Sequence, residues 1–276
     1  MKHRTEMPRC VTRAARCAAV LLAVLPAGAP AQIAVQDNTL QQREARPGET
    51  YDGTIVVANL SDEPQEARLY QTDYLFFADG RAMYHEPGTD PRSNARWITV
   101  NPTSVTVPPR SKATVRYAVS VPSGSERPLS GSYWSAIMVE AVAPALAKAA
   151  GEEQGLGITT RIRYGVQVVT HIAGTGEVRL DFADPRIGTD AGGARSLEFD
   201  ILNVGERSVP LDVRVELFDA SGERAGTFRG AVRILHPGTS VRQRFALGAL
   251  RAGAYEAVVT ADTGSEIFGA QYTLRF

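Results

Sequence analysis

Ser130 to Ala141 reads SGSYWSAIMVEA, and Ala252 to Ala261 reads AGAYEAVVTA. Each stretch is a small residue, a glycine, a small residue and a tyrosine, followed by an apolar run. Two copies of one phrase, about 120 residues apart, call for an architectural explanation before a chemical one. A glycine and then a tyrosine at the head of an apolar run is how a late strand begins in an immunoglobulin-like sandwich, where a corner tyrosine bonds back to nearby backbone. Tyr133 and Tyr255 are therefore read as structural. Trp134 then alternates to the other face. Ser132 lacks a G-x-S-x-G setting and has no histidine near it in sequence, so it is not read as a nucleophile.

The grammar around the two copies agrees. In the first, Thr54 to Asn59 is an apolar strand closed by a polar turn, Ser61-Asp62-Glu63-Pro64. Ala78-Asp79-Gly80-Arg81 is a tip whose glycine supplies positive φ, and Pro108-Pro109-Arg110-Ser111 turns the chain into Ala113 to Val121. In the second, Phe199 to Asn203 matches the strand ending in Asn59, and Asp219-Ala220-Ser221-Gly222 matches the tip. His236-Pro237-Gly238-Thr239 stands where the Pro-Pro turn stood, which places His236 at the turn surface. The first copy is longer, mainly through the loop Arg81 to Ala95. Short alternating strands separated by turns at this spacing predict an all-β chain of two tandem immunoglobulin-like β-sandwich domains, over residues 32–174 and 175–276.

Residues 1–31 are read as a signal peptide. Lys2, Arg4, Arg9, Arg13 and Arg16 precede the apolar run Cys17 to Ala29, and Ala29-Pro30-Ala31 supplies small residues for cleavage after Ala31. The export this implies places the protein in the periplasm or otherwise outside the cytoplasm. No later run is long and apolar enough to predict a membrane span. Both cysteines, Cys10 and Cys17, lie in the leader, so the remainder holds neither a disulfide nor a thiol nucleophile. Beyond the leader, 25 basic residues face 29 acidic ones, a net charge of −4, which gives no basic face for nucleic acid.

Catalytic patterns are missing. His85, His171 and His236 lie in separate segments without metal-ligand spacing, and His85-Glu86 reads as a solvated loop pair. There is no phosphate-binding glycine loop and no calcium loop. The reading is a protein without enzymatic activity, cofactor or metal. The alternating stretch Phe268, Ala270, Tyr272, Leu274, Phe276 is a closing sandwich strand, since a membrane barrel needs about eight or more longer spans.

One segment stands apart. Leu156, Ile158, Thr160, Ile162, Tyr164, Val166 and Val168 alternate with Gly157, Thr159, Arg161, Arg163, Gly165, Gln167 and Val169. At about 3.3 Å per residue this is a strand of roughly 40 Å, far longer than usual. Two readings stand: a long last strand bridging into the second domain, or an exposed edge that offers its apolar row to a partner by β-strand addition.

On these residues the chain resembles the pilus periplasmic chaperones. Asn59 at a strand end, the Pro-Pro turn before Val115-Arg116-Tyr117-Ala118-Val119, and Thr160-Arg161-Ile162-Arg163 suit that family's first domain. The resemblance implies that a basic residue on the first strand and one on the last clamp a client's C-terminal carboxylate in the interdomain cleft. Those positions fall on Arg43 and Arg163, and a guanidinium suits a carboxylate. The family's aromatic-Arg-Pro closing the last strand is replaced here by Val168-Val169-Thr170-His171. The second half, with Arg251-Ala252-Gly253-Ala254-Tyr255, is similar to WxL-interacting cell-wall proteins. So are Pro47-Gly48-Glu49 and the turn Asn59-Leu60-Ser61-Asp62.

The expectation is an exported protein-binding factor that takes a protein subunit of a surface or envelope assembly by β-strand addition. Its contacts would be Leu156, Ile158, Ile162, Tyr164, Val166, Arg43 and Arg163. The alternative is a surface binding module that recognises a cell-wall component or a surface protein.

Overall fold

The computed structural model describes residues 33–36, 38–124, 128–142, 162–189 and 191–276. The expected signal peptide lies outside these residues, as do Leu156 and Ile158. Eighteen strands and one 3-10 turn (Ala95–Trp97) make up the described secondary structure.

Ten strands form the first sandwich. One sheet runs β1 (Ile33–Val35), β3 (Thr50–Asn59), β8 (Lys112–Ser120) and β6 (Ile98–Asn101). The other runs β2 (Leu40–Ala45), β10 (Arg163–Ile172), β9 (Ser132–Ala141), β4 (Gln65–Phe76) and β5 (Ala82–His85), with β7 (Ser104–Val107) also on β4. Period-two alternation sends Ile55, Val57, Leu69, Val115, Ile137, Val139 and Val168 into one core between the sheets.

The second sandwich has a sheet of β11 (Leu180–Thr189), β12 (Arg195–Asn203) and β16 (Ser240–Gly248). It faces β14 (Arg224–Arg229), β13 (Val209–Asp219), β17 (Ala254–Asp262) and β18 (Ile267–Arg275), with β15 (Arg233–Leu235) on β13. Leu197, Phe199, Ile201, Leu211, Leu217 and Val259 fill its core, and Phe199 stacks on Phe245 at 5.7 Å. Each fully buried side chain of this kind contributes about 1.5–3 kcal/mol. The closing-strand reading of the last segment holds, since β18 pairs antiparallel with β17.

The duplication extends to single hydrogen bonds. Asn59 and Asn203 are both buried. The Asn59 amide donates to the carbonyls of Glu63 (2.7 Å) and Val107 (3.0 Å), and its oxygen accepts the Ser61 N–H. The Asn203 amide donates to Arg207 (2.7 Å) and Leu235 (2.9 Å), and its oxygen accepts the Gly205 N–H. The backbone N–H of Asn59 bonds Ser111 and that of Asn203 bonds Thr239, so the two four-residue turns occupy one place. Both turns need a left-handed third residue, supplied by Arg110 at φ 52 in one and by Gly238 at φ 74 in the other. Each asparagine thus plugs a strand end, a following turn and a second turn that would otherwise bury unpaired carbonyls.

Tyr255 is a corner tyrosine as expected, its hydroxyl donating to the Arg251 carbonyl at 3.1 Å. Tyr133 differs: its ring lies 4.7 Å from that of Trp97 under the Arg92 guanidinium. The long loop after His85 is pinned from below. Buried Asp73 accepts the N–H groups of Thr89 and Asp90 and the Ser93 hydroxyl, and His85 bonds Asp90 at 2.9 Å.

Replacing Asn203 with alanine strands two buried carbonyls, and urea unfolding should show a loss of about 2–3 kcal/mol. A loss well under about 1 kcal/mol would mean the plug holds nothing.

Candidate functional site: the β10 edge and the junction beside it

β10 pairs with β9 along its length, from Arg163↔Glu140 to His171↔Ser132. On its other side β2 runs parallel, but only from Gln167↔Leu40 to Ile172↔Ala45. The Gln167 N–H donates to Thr39 and the Ala173 N–H to Ala45, whereas the Ile172 N–H turns back to Gly131. Odd-numbered backbone groups of β10 therefore face the β2 side, by the alternation of a paired strand. At Arg163 and Gly165 no strand meets them among the described residues. Among the described residues, four positions of β10, Arg163 to Val166, have a strand on one side only.

The side chains divide accordingly. Val166 is 1% exposed and Val168 fully buried, both in the core. Val166 is thus corrected from a partner contact to a core residue: it shares the core-facing side of the strand with Tyr164 and Val168, and the core covers that side increasingly from Ile162 to Val168. Tyr164 is half-buried against the same core. Ile162, just before the strand, is 45% exposed.

Arg43 and Arg163 are not brought together. Arg43 is in register with Thr170, and Arg163 lies seven positions back along β10, roughly 23 Å at strand rise. Arg43 sits over the Tyr51 ring at 6.0 Å, and Tyr51 bonds the buried Thr170 at 2.7 Å. That is the core side of β2. Its cleft side instead presents Leu40, which lines the cleft described below, Gln42, which meets His171, and Glu44, which reaches Arg207 at 3.7 Å. Arg163 reaches Glu140 at 3.4 Å. A shared carboxylate clamp is excluded by this register.

The lower half of β10 is held by the junction of the two sandwiches. Here the S-G-S of the opening phrase acquires its meaning. Ser130 donates to the Glu206 carboxylate at 2.9 Å, and the Ser132 N–H donates to the Glu206 carbonyl at 2.8 Å. The Ser208 N–H donates to the Ser132 hydroxyl at 2.8 Å. Gly131 lies between them at φ 73, and any Cβ there would drive into the Glu206 carbonyl. Arg92 ties the strip from the side, donating to Ser130 and pairing with Glu206.

Two imidazoles complete the junction. Gln42 Oε1 can only accept, so His171 Nε2–H donates to it at 3.2 Å, and the neutral ring's Nδ1 takes the Ser132 hydroxyl proton at 2.7 Å. This is a serine–histidine contact in which Ser132 is fully buried. His236, expected at a turn surface, is fully buried. It stacks on Trp134 at 4.7 Å and 7°, meets Tyr74 at 2.7 Å through Nε2, and accepts from Ser208 through Nδ1 at 2.8 Å. Tyr74 passes its proton on to Gln167 at 2.8 Å. With both rings neutral, every bond in this chain has one donor and one acceptor.

Burial holds His236 near a pKa of about 3, with His171 adding repulsion. Burial also takes His171 to about 4, helped by Arg207 and opposed by Glu44. Above the junction, Leu40, Tyr74, Phe76, Tyr84, Gln167 and Val232 line a cleft of about 510 Å³ where the open edge begins.

No protein-family model matches the chain, and no curated protein does. The chain is similar in fold to solved structures of chaperones. A chaperone–tip adhesin complex of CFA/I fimbriae biogenesis matches at 13% identity over 87% of this chain and 97% of that one, TM-score 0.45. The YadV chaperone matches at 12% over 88% and 100%, TM-score 0.44. The CupB2 chaperone of Pseudomonas aeruginosa matches at 14% over 87% and 100%, TM-score 0.41. Among the described residues no group of three or more metal-ligating side chains converges, and no helix is long and apolar enough to cross a membrane.

Sequence reading missed the junction, although one signal was available. The first copy has serines on both sides of its glycine where the second has alanines.

Both imidazoles bind protons more readily in the unfolded chain, whose histidine pKa is about 6.5. Stability is therefore complete above that pH and falls as pH drops toward about 4. His236 alone accounts for up to about 1.4 kcal/mol per pH unit. Urea titrations from pH 7.5 to 4.5 should show this slope, and His236→Gln should reduce it by about half, leaving the part that His171 contributes. A slope unchanged in that variant would contradict the neutral buried ring.

Proposed function

We propose that the protein is an exported, non-enzymatic binding factor that holds a subunit of a surface or envelope assembly by adding one of that subunit's strands to the β10 edge. Residues 1–31 serve export to the periplasm, 32–174 form the binding domain and 175–276 the domain that braces it. The observation that carries this reading is the pair of outward-facing backbone sites at Arg163 and Gly165, beside an apolar row that surfaces at Ile162. An added strand gains about 0.5–1.5 kcal/mol per backbone bond, and each apolar side chain it covers adds about 1.5–3 kcal/mol. Ile162 and Tyr164 supply that row within the described residues; Leu156 and Ile158, expected to belong to it, lie outside them. Arg163 flanks the edge as a positive charge, while Arg43 supports Tyr51 from the far side of β2.

Capture from native envelope extract with the tagged chain tests this. The wild type should recover a β-rich subunit near one-to-one. Ile162→Asp removes an apolar contact, and Gly165→Pro removes an outward N–H without touching the β9 ladder. Both should abolish recovery while melting within a few degrees of wild type. Recovery that survives both changes would overturn the edge as the binding site, and unfolding of Ile162→Asp would place Ile162 in the core.

A further inference from the structure

Sheet edges invite pairing with other chains, and proteins blunt them with shortness, charge, proline or bulges. Among the described residues, most strands at the ends of the four sheets are blunted in one of these ways. β1 has three residues, and β5 and β6 have four each. β14 has six, with Arg224 and Arg229 at its ends. β16 carries Arg242 and Arg244. β11 is broken by a bulge between Ala183 and Arg186, with Asp184 at φ 49 and Pro185 beside it. β18 has none of these devices. It is nine residues long, IFGAQYTLR, pairs with β17 in unbroken register, and carries a single charge at its last position.

Its exposed side is fully set out for pairing. Gly253 and Phe276 exchange both backbone hydrogen bonds, so the even-numbered residues of β18 bond to β17 and the odd-numbered ones face outward. Ile267, Gly269, Gln271, Thr273 and Arg275 thus present free N–H and C=O groups toward a side that no described strand occupies. On the core-facing side Phe268, Ala270 and Tyr272 are only partly buried, an apolar seam left open along the edge.

We propose that the protein self-associates through β18, two copies pairing antiparallel about a twofold axis at Gln271. The sequence of the strand fits itself in this register. Gln271 meets its own copy, Gly269 makes room for the partner's Thr273, and Ile267 meets the partner's Arg275. No like charges oppose each other, and Arg275 ends beside the partner's Glu266. On the seam, Ala270 faces the partner's Tyr272 and Phe268 faces the partner's Leu274, small against large and apolar against apolar. Each outward-facing pair exchanges two backbone bonds, joining two sheets into one across an isologous interface. This surface lies on a different sandwich from the β10 edge and does not depend on the function proposed for it.

Sedimentation equilibrium of the full chain, with Cys10→Ser and Cys17→Ser to exclude chance disulfides, should show a monomer–dimer equilibrium with a dissociation constant on the order of 100 µM or tighter. Gln271→Lys places two like charges at the axis and should weaken it at least tenfold, with an unchanged melting temperature. In the same background Gln271→Cys should cross-link to itself on oxidation. The two Cα atoms of such a pair lie about 5.5 Å apart, within disulfide reach. Thr273→Cys, which meets the partner's Gly269, should not. A chain monomeric to about 1 mM, a dimer indifferent to Gln271→Lys, or cross-linking of Thr273→Cys in place of Gln271→Cys would each overturn the proposal.

Discussion

Two uncharged imidazoles between the sandwiches, His236 fully buried and His171 partly so, set what the rest of the molecule does. His236 lies flat on Trp134 and is bonded at both nitrogens, and His171 is fixed by the Ser132 hydroxyl. An unpaired polar group in such a place costs about 1–3 kcal/mol, so the hydroxyls of Ser132 and Tyr74 each have two partners they must keep. Through Tyr74 and Gln167 the same chain of bonds reaches β10. There it ends, at the level where β2 begins. From Gln167 onward the strand is held on both sides, and before it β9 is the one neighbour among the described residues. The open edge is thus the upper half of a strand whose lower half is locked into the junction.

The two sandwiches also show how one plan diverges under different surroundings. The asparagine plugs are nearly superimposable in their bonding, because both sandwiches must satisfy the same strand end. The glycine–tyrosine phrases are not. In the second sandwich the tyrosine caps its own corner. In the first, Ser130 and Ser132 serve the neighbouring domain, and Tyr133 packs sideways on Trp97. A residue pair that reads as surface in one copy has become interface in the other.

The strands, turns and duplicated asparagines were legible in the sequence because each follows from a local rule: alternation, turn chemistry, or a polar side chain at a strand end. Asp79-Gly80 and Ser221-Gly222 were read as tips, and both glycines take positive φ. Contacts made across the fold were not legible. His236 precedes a proline in a turn, and nothing local says that a second domain covers that turn. The pairing of Arg43 with Arg163 failed for a related reason. It was carried over by matching short motifs, whereas β2 joins β10 in a parallel register that only the folded sheet defines. Val166 was placed by alternation on the right face of the strand, but the core already covers that face there.

The central claim is that β10 is open above Gln167 and closed below it. Amide hydrogen exchange, resolved residue by residue by NMR on the protein alone, tests this most directly, since exchange reports which backbone N–H groups lack a stable partner. The account predicts fast exchange at Arg163 and Gly165 and strong protection at Gln167, Val169 and His171, with Val166 and Val168 protected through β9. Equal protection at Arg163, Gly165 and Gln167 would contradict it, because a strand would then already lie along the edge that a partner is meant to occupy.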